Sequence, residues 1–174
     1  EKYGSSAPAI IKDNPYTLAK EIRGIGFIQA DKIAQSIGIE LDNPFRLASG
    51  LVYCVDQQAL DGHTCIPRDY LLQKACELMQ IQVEAANTGL ERALADGSIT
   101  SVPYCGQEFI YSRIILENEE LLSEHICLTI KLDKEQTLKK TTLDFINDDL
   151  NKEQQEAVSH AFNYRLSIIT GGPG

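Results

Sequence analysis

Four residues at the end of the sequence, Gly171, Gly172, Pro173 and Gly174, stand directly behind an uninterrupted apolar run at 166–170. A strand that empties into a glycine-rich turn is how a nucleotide-phosphate loop opens. Successive backbone N–H groups there must wrap an anion with no Cβ in the way. An ordinary Gly-Pro turn after a strand uses the same residue types, so the tetrapeptide alone leaves both readings open. A second glycine pair, Gly24-Ile25-Gly26, can supply positive φ and let another backbone approach closely. Other chemistry is poorly signalled. Cysteines at 54, 65, 76, 105 and 127 contain no C-x-x-C pair, and the histidines at 63, 125 and 160 are isolated. Neither a zinc site nor a disulfide framework is expected, and the thiols read as buried and inert. Asp148-Asp149 has no partner at a metal spacing, and no nucleophile constellation or carboxylate pair rises above chance.

The elements that must hold these residues are set by start and stop signals. Asp13-Asn14-Pro15-Tyr16-Thr17-Leu18-Ala19 and Asp42-Asn43-Pro44-Phe45-Arg46-Leu47-Ala48 each read as a helix start. Asn before Pro is pushed out of the α region and caps with its side-chain oxygen, while Pro gives up a donor that had no partner anyway. The recurrence is reuse of a start signal, not a duplicated domain. The first helix is expected over 15–22, stopped at Arg23-Gly24-Ile25-Gly26, and the second over 28–37, ended by Gly38. Together they form a helix-hairpin-helix pair, with a helical turn at 7–12 packing on it.

Amphipathic helices are then expected over 44–60, 67–79 and 83–95, with a short β-branched strand at 64–66. Strands at 99–102 and 109–111 follow, joined by a turn-rich 103–108 segment. Helix, strand, helix, helix and two-stranded hairpin is the order of a winged helix. An acidic helix over 113–129 comes next, then a polar connector over 131–149 with one apolar patch at Leu143, Phe145 and Ile146. Asn151 opens a helix with Ala157, Val158, Ala161 and Phe162 on one face, leading to the strand at 166–170. Asn151 and Gln154 have the spacing of a capping box. The expected fold class is mainly α with minor β. It comprises a helix-hairpin-helix module at 1–40, a winged-helix-like module with a β-hairpin wing at 41–112, an acidic helix and connector at 113–149, and the opening of a P-loop α/β domain at 150–174.

The 174 residues are 43% apolar and 24% charged, a globular composition. No run reaches the roughly 18 apolar residues of a membrane span, and Glu1 begins neither with an initiator Met nor with a secretion signal. The sequence reads as cut from inside a longer polypeptide. A net charge of −9 argues against a broad phosphate-binding face. Residues 1–40 are nevertheless balanced, with five basic and five acidic side chains. The helix at 83–95, where a winged helix would read DNA, offers Glu84 and Glu91 against Arg92, which suits a scaffold better than a base reader. Glu117, Glu119, Glu120 and Glu124 read as a solvated face.

Leu150-Asn151-Lys152-Glu153-Gln154-Gln155-Glu156-Ala157-Val158 resembles the glutamine motif that precedes the phosphate loop in superfamily 1 helicases. The junction Ser167-Ile168-Ile169-Thr170-Gly171-Gly172-Pro173-Gly174 resembles the RecD-like branch. So does the hairpin from Asn14-Pro15-Tyr16 through Ile22-Arg23-Gly24-Ile25-Gly26-Phe27 to Ala30-Asp31-Lys32-Ile33-Ala34. The sequence is thus similar to the stand-alone RecD-like ATP-dependent DNA helicases of bacteria along nearly its whole length. That resemblance implies an ATP-driven enzyme moving 5′ to 3′ on single-stranded or forked DNA in repair and recombination. It also implies ATP and Mg²⁺ at the nucleotide site and a cytoplasmic, nucleoid-associated location without a membrane. It casts Gln154 as the reader of the adenine edge, through an amide that both donates and accepts, and Gly171, Gly172, Pro173 and Gly174 as part of the phosphate loop. It casts Gly24, Ile25, Gly26 and Phe27 as backbone contacts to DNA phosphate, helped by Lys32, with Lys20 and Arg23 close by and Asp31 and Glu21 offsetting them.

The phosphate-contacting Lys, the Mg²⁺-binding hydroxyl, the Walker B acid and a second motor domain are missing from the sequence. No ATP hydrolysis, bound cofactor or metal is therefore expected of these 174 residues themselves. Without its sheet, the strand at 166–170 is expected either to be disordered or to borrow a partner from another copy. Two rival readings carry no motor. One is a non-enzymatic helix-hairpin-helix or winged-helix DNA-binding protein of repair or regulation. The other is a protein-interaction scaffold, which fits the negative charge.

Overall fold

The computed structural model describes residues 14–22, 24–135 and 149–171, apart from the side chains at 20, 21 and 133–135. The expectations at 7–12, Arg23, Leu143, Phe145, Ile146, Asp148 and Gly172, Pro173 and Gly174 lie outside the described residues. The chain divides into two compact units, Glu1–Leu116 and Glu117–Gly174.

The first unit opens with α1 (Thr17–Glu21) and α2 (Phe27–Ser36). At the first Asn-Pro signal, Asn14 Oδ1 accepts from the Tyr16 amide at 3.1 Å, which turns the chain ahead of α1 without capping it, and the helix starts at Thr17 instead of the expected 15. The second is fuller. Asn43 Oδ1 accepts from the amides of Phe45 at 2.9 Å and Arg46 at 3.4 Å, with Pro44 as the first residue of α3 (Pro44–Leu60).

After α3 come β1 (Cys65–Pro67), α4 (Arg68–Met79), α5 (Val83–Ala95), β2 (Ile99–Tyr104) and β3 (Gln107–Ser112). The three strands form an antiparallel sheet in the order β1-β3-β2, with Ile66 opposite Ile110 and Ile99 opposite Ser112. This is the winged-helix arrangement expected from the element order. Leu47, Leu51, Leu71, Leu90, Ile66, Ile99 and Ile110 fill the space between helices and sheet. Gly89 brings α5 against α3 at backbone distance, for a Cβ there would lie 2.8 Å from the Leu47 carbonyl carbon.

The wing differs from expectation. Its strands run to Tyr104 and from Gln107, and only Cys105 and Gly106 turn the chain, with φ of +50° and +79°. Positive φ at both central positions is the tight hairpin turn whose twist matches the strands, so pairing continues to the tip instead of stopping at 103. Pro103 is tolerated because β2 is an edge strand.

β3 passes directly into α6 (Arg113–Glu135), which is longer than the expected 113–129. In the second unit α7 (Lys152–Asn163) starts at Asn151 as the sequence indicates. The strand expected at 166–170 is not formed. Those residues are exposed and make no ladder among the described residues, because a lone apolar run has no neighbour to satisfy its N–H and C=O groups. The expectation of buried thiols fails at Cys105 and Cys127, which are exposed, whereas Cys54 is buried, and burial pushes its thiol up to about 11 against a small opposing effect of Lys74. Among the described residues no helix is long and apolar enough to cross a membrane.

Candidate nucleic-acid interface

The hairpin between α1 and α2 is built by backbone conformation. Ile22 leaves α1 in an extended conformation while its N–H still bonds the Leu18 carbonyl. Gly24 turns the chain at φ +90°, and the Ile25 amide closes the turn on the Ile22 carbonyl at 3.2 Å. Gly26 is different. It is the N-cap of α2 at φ −88° and ψ 175°, extended backbone that any residue can adopt. A Cβ at Gly26 would meet nothing within 4 Å, so glycine at 26 leaves open space over the start of α2.

Gln29 Oε1 accepts from the Gly26 amide at 3.3 Å, and the Gln29 amide bonds back to the Gly26 carbonyl at 3.1 Å. The amides of Phe27 and Ile28 are left without an acceptor among the described residues. Two donors without an acceptor among the described residues, at the positive end of a ten-residue helix, are an arrangement that can receive an anion. The Phe27 side chain takes no part. It is buried, with ring centroids 6.0 Å from Tyr16 and 5.7 Å from Tyr53. Lys32 is exposed on α2, one turn beyond Ile28. The structure thus brings Gly24, Ile25, Gly26 and the Phe27 backbone to one turn, with Lys32 following on the same helix.

Asp31 does not offset that charge as the sequence suggested. It is buried, and Arg46 of α3 grips it with Nε donating to Oδ1 at 2.8 Å and Nη2 to Oδ2 at 3.1 Å. Tyr16 donates its hydroxyl to Oδ1 at 2.8 Å, and Gln35 Nε2 donates to Oδ2 at 2.9 Å. Arg46 also donates to the carbonyls of Leu41 at 2.8 Å and Met79 at 3.2 Å. Burial alone would raise the Asp31 carboxyl, but hydrogen bonds from Arg46 and Tyr16, the charge of Arg46 and the Gln35 bond hold it below its ordinary value. Burial, and then the Asp31 hydrogen bond and charge, push the Tyr16 hydroxyl above its ordinary value. Sequence reasoning missed Arg46. The available signal was an arginine at a helix start flanked by Phe45 and Leu47, with Ser49 and Gly50 rather than acids one turn on.

On α5 the basic side chain Arg92 lies over the Phe45 ring at 4.1 Å, while Glu84 and Glu91 are exposed. In the second unit the capping box is made in full. The Asn151 amide donates to Gln154 Oε1 at 3.0 Å, and the Gln154 amide to Asn151 Oδ1 at 2.9 Å. Gly171 is exposed with no contact to Gln154 among the described residues, which also hold no group of three potential metal ligands.

Residues 1–65 match the family model described as the ATP-dependent RecD2 DNA helicase HHH domain, HHH standing for helix-hairpin-helix. A curated relative, the ATP-dependent RecD2 DNA helicase of Deinococcus radiodurans, is 26% identical over 192 aligned positions, which cover 99% of this chain and 26% of the relative. The chain therefore spans about a quarter of the length of the curated relative it matches. The hairpin from Gly24 to Phe27 falls inside the matched segment, so residues 1–65 are similar to the RecD2 helix-hairpin-helix domain, in a chain similar to a RecD2 helicase over 99% of its length.

Proposed function

We propose that this chain is the accessory DNA-binding region of a RecD-like ATP-dependent DNA helicase, and that it holds DNA through the hairpin at Gly24, Ile25, Gly26 and Phe27. The observation that carries this reading is the pair of amides at Phe27 and Ile28 that have no acceptor among the described residues, next to the open space at Gly26. A phosphate oxygen placed there accepts from both, the helix dipole favours its charge, and Lys32 adds one cation. No base edge is touched, so binding is indifferent to sequence, as a translocating enzyme requires.

The winged-helix region from 41 to 112 serves as a scaffold. Its reading helix presents Glu84 and Glu91 beside a single arginine, Arg92, which lies over the Phe45 ring. In the full-length protein ATP and Mg²⁺ drive unwinding, 5′ to 3′ on single-stranded or forked DNA, in repair and recombination near the nucleoid. Gln154 would meet adenine through its free Nε2 and the remaining lone pair of Oε1. Residues 166–170, with Ile168 85% exposed, are also where copies of this chain would associate by strand pairing.

The test is Gly26→Asp. Asp is a favoured N-cap residue and the position is open, so the variant keeps or gains thermal stability while its carboxylate occupies the phosphate position. Affinity for a labelled DNA fork should fall at least roughly tenfold at low salt, equally for unrelated sequences. Unchanged affinity would remove the hairpin from the interface.

A further inference from the structure

We propose that Asp31 and Arg46 are positioning residues for the hairpin: their buried pair sets the rotation of α2 on the winged-helix body and so aims the Phe27 and Ile28 amides. This rests on the reading of the hairpin as the DNA contact.

The need for such a device lies in the rest of the α2 interface. Apart from Phe27, its buried side chains are Ala30, Ala34 and Asp31. Alanine faces are smooth, and a helix seated on two of them can turn or slide with little loss of packing. Arg46 removes that freedom. Its planar fork engages both carboxylate oxygens at 2.8 and 3.1 Å, a two-point contact that specifies orientation as well as distance.

The fork is itself held from three sides. Arg46 is the third residue of α3, whose start is capped by Asn43, and its remaining donors reach Leu41 ahead of that helix and Met79 at the end of α4. Tyr16, at the start of α1, shares Oδ1 with the Arg46 Nε. Tyr16 ahead of α1, Asp31 of α2 and Arg46 of α3 thereby meet at one carboxylate, and Arg46 carries the tie on to α4 through the Met79 carbonyl. Asp31 lies four residues beyond the Phe27 amide, so a turn of α2 about its axis moves those donors together. DNA would then have to wait for the fraction of molecules in which they point correctly.

The experiment compares wild type with Tyr16→Phe and with the double variant Asp31→Leu/Arg46→Met, which replaces the pair by apolar side chains of similar size. Each 174-residue chain is titrated with a fluorescently labelled DNA fork over a range of salt concentrations, and amide hydrogen exchange is read at Gly24, Ile25, Gly26, Phe27 and Ile28. Positioning predicts an intact thermal transition for both and affinity weakened roughly three- to tenfold in the double variant and less in Tyr16→Phe. It also predicts an unchanged salt slope, because the same phosphates are still met, and faster hairpin exchange in the free protein. Wild-type affinity in a folded double variant overturns the inference, as does a shallower slope, which would make Arg46 a direct phosphate ligand. If the double variant does not fold, Tyr16→Phe decides alone, and an affinity and exchange pattern equal to wild type overturns the inference. Failure of wild type itself to bind the fork would instead overturn the hairpin reading.

Discussion

Asp31 illustrates how a residue's meaning changes with what stands behind it. In the sequence it is one acid beside Lys32. In the folded chain its carboxylate meets Arg46, Tyr16 and Gln35, and its charge is unavailable to solvent. Because its folded-state pKa lies below the ordinary 3.8, the stability it contributes is complete at neutral pH and is lost as pH falls below that value through the folded-state pKa. Tyr16 acts at the other extreme: its raised hydroxyl contributes stability below the ordinary 10.0 that is lost as pH rises beyond it. Urea denaturation over a pH series should therefore show an acid limb that flattens in Asp31→Asn and an alkaline limb that flattens in Tyr16→Phe. At pH 7 Asp31→Asn should itself cost about 3–5 kcal/mol, since it leaves the Arg46 charge buried without its counter-ion. A loss below 1 kcal/mol, roughly what an exposed pair contributes, would show that water reaches the pair.

Among the elements, those with local punctuation were legible. The bounds expected for α3 and α5 are those observed, because Asn43-Pro44 starts the first, and Asp61-Gly62 and Asp96-Gly97 stop the two chains of turns. What depends on distant partners was not legible. The Asp31–Arg46 bond joins residues 15 apart across two helices, and no local rule pairs them. The tightness of the wing turn is hidden because Pro103 looks like a breaker until β2 is known to be an edge. The apolar content of the run at 166–170 points to a strand but cannot supply the neighbour a strand needs. Packing between elements yields a sharper test. Gly89→Ala would drive a methyl into the Leu47 backbone, which cannot step aside, whereas Gly50→Ala meets the flexible end of Met79. The first should destabilise by about 1–3 kcal/mol and the second by less, measured by thermal or chemical denaturation. Equal losses would mean that α3 and α5 move apart freely.

For the molecule as a whole, the charge of −9 does not conflict with the phosphate contact proposed for the hairpin, because the acid is spread elsewhere. Residues 41–150 carry the deficit, and the described part of α6 displays it to solvent. The same outward and inward sorting governs the thiols. Cys54 is buried and its thiol is pushed up to about 11, Cys65 and Cys76 are partly covered, and Cys105 and Cys127 are open. Under native conditions Ellman's reagent should titrate the open pair first, reaching all five only after unfolding; a uniform rate would contradict this sorting. Because Cys105 forms the tip of the wing, replacing Cys127 with serine leaves a natural attachment point there for a maleimide dye, one whose emission would register whatever comes to rest against that tip.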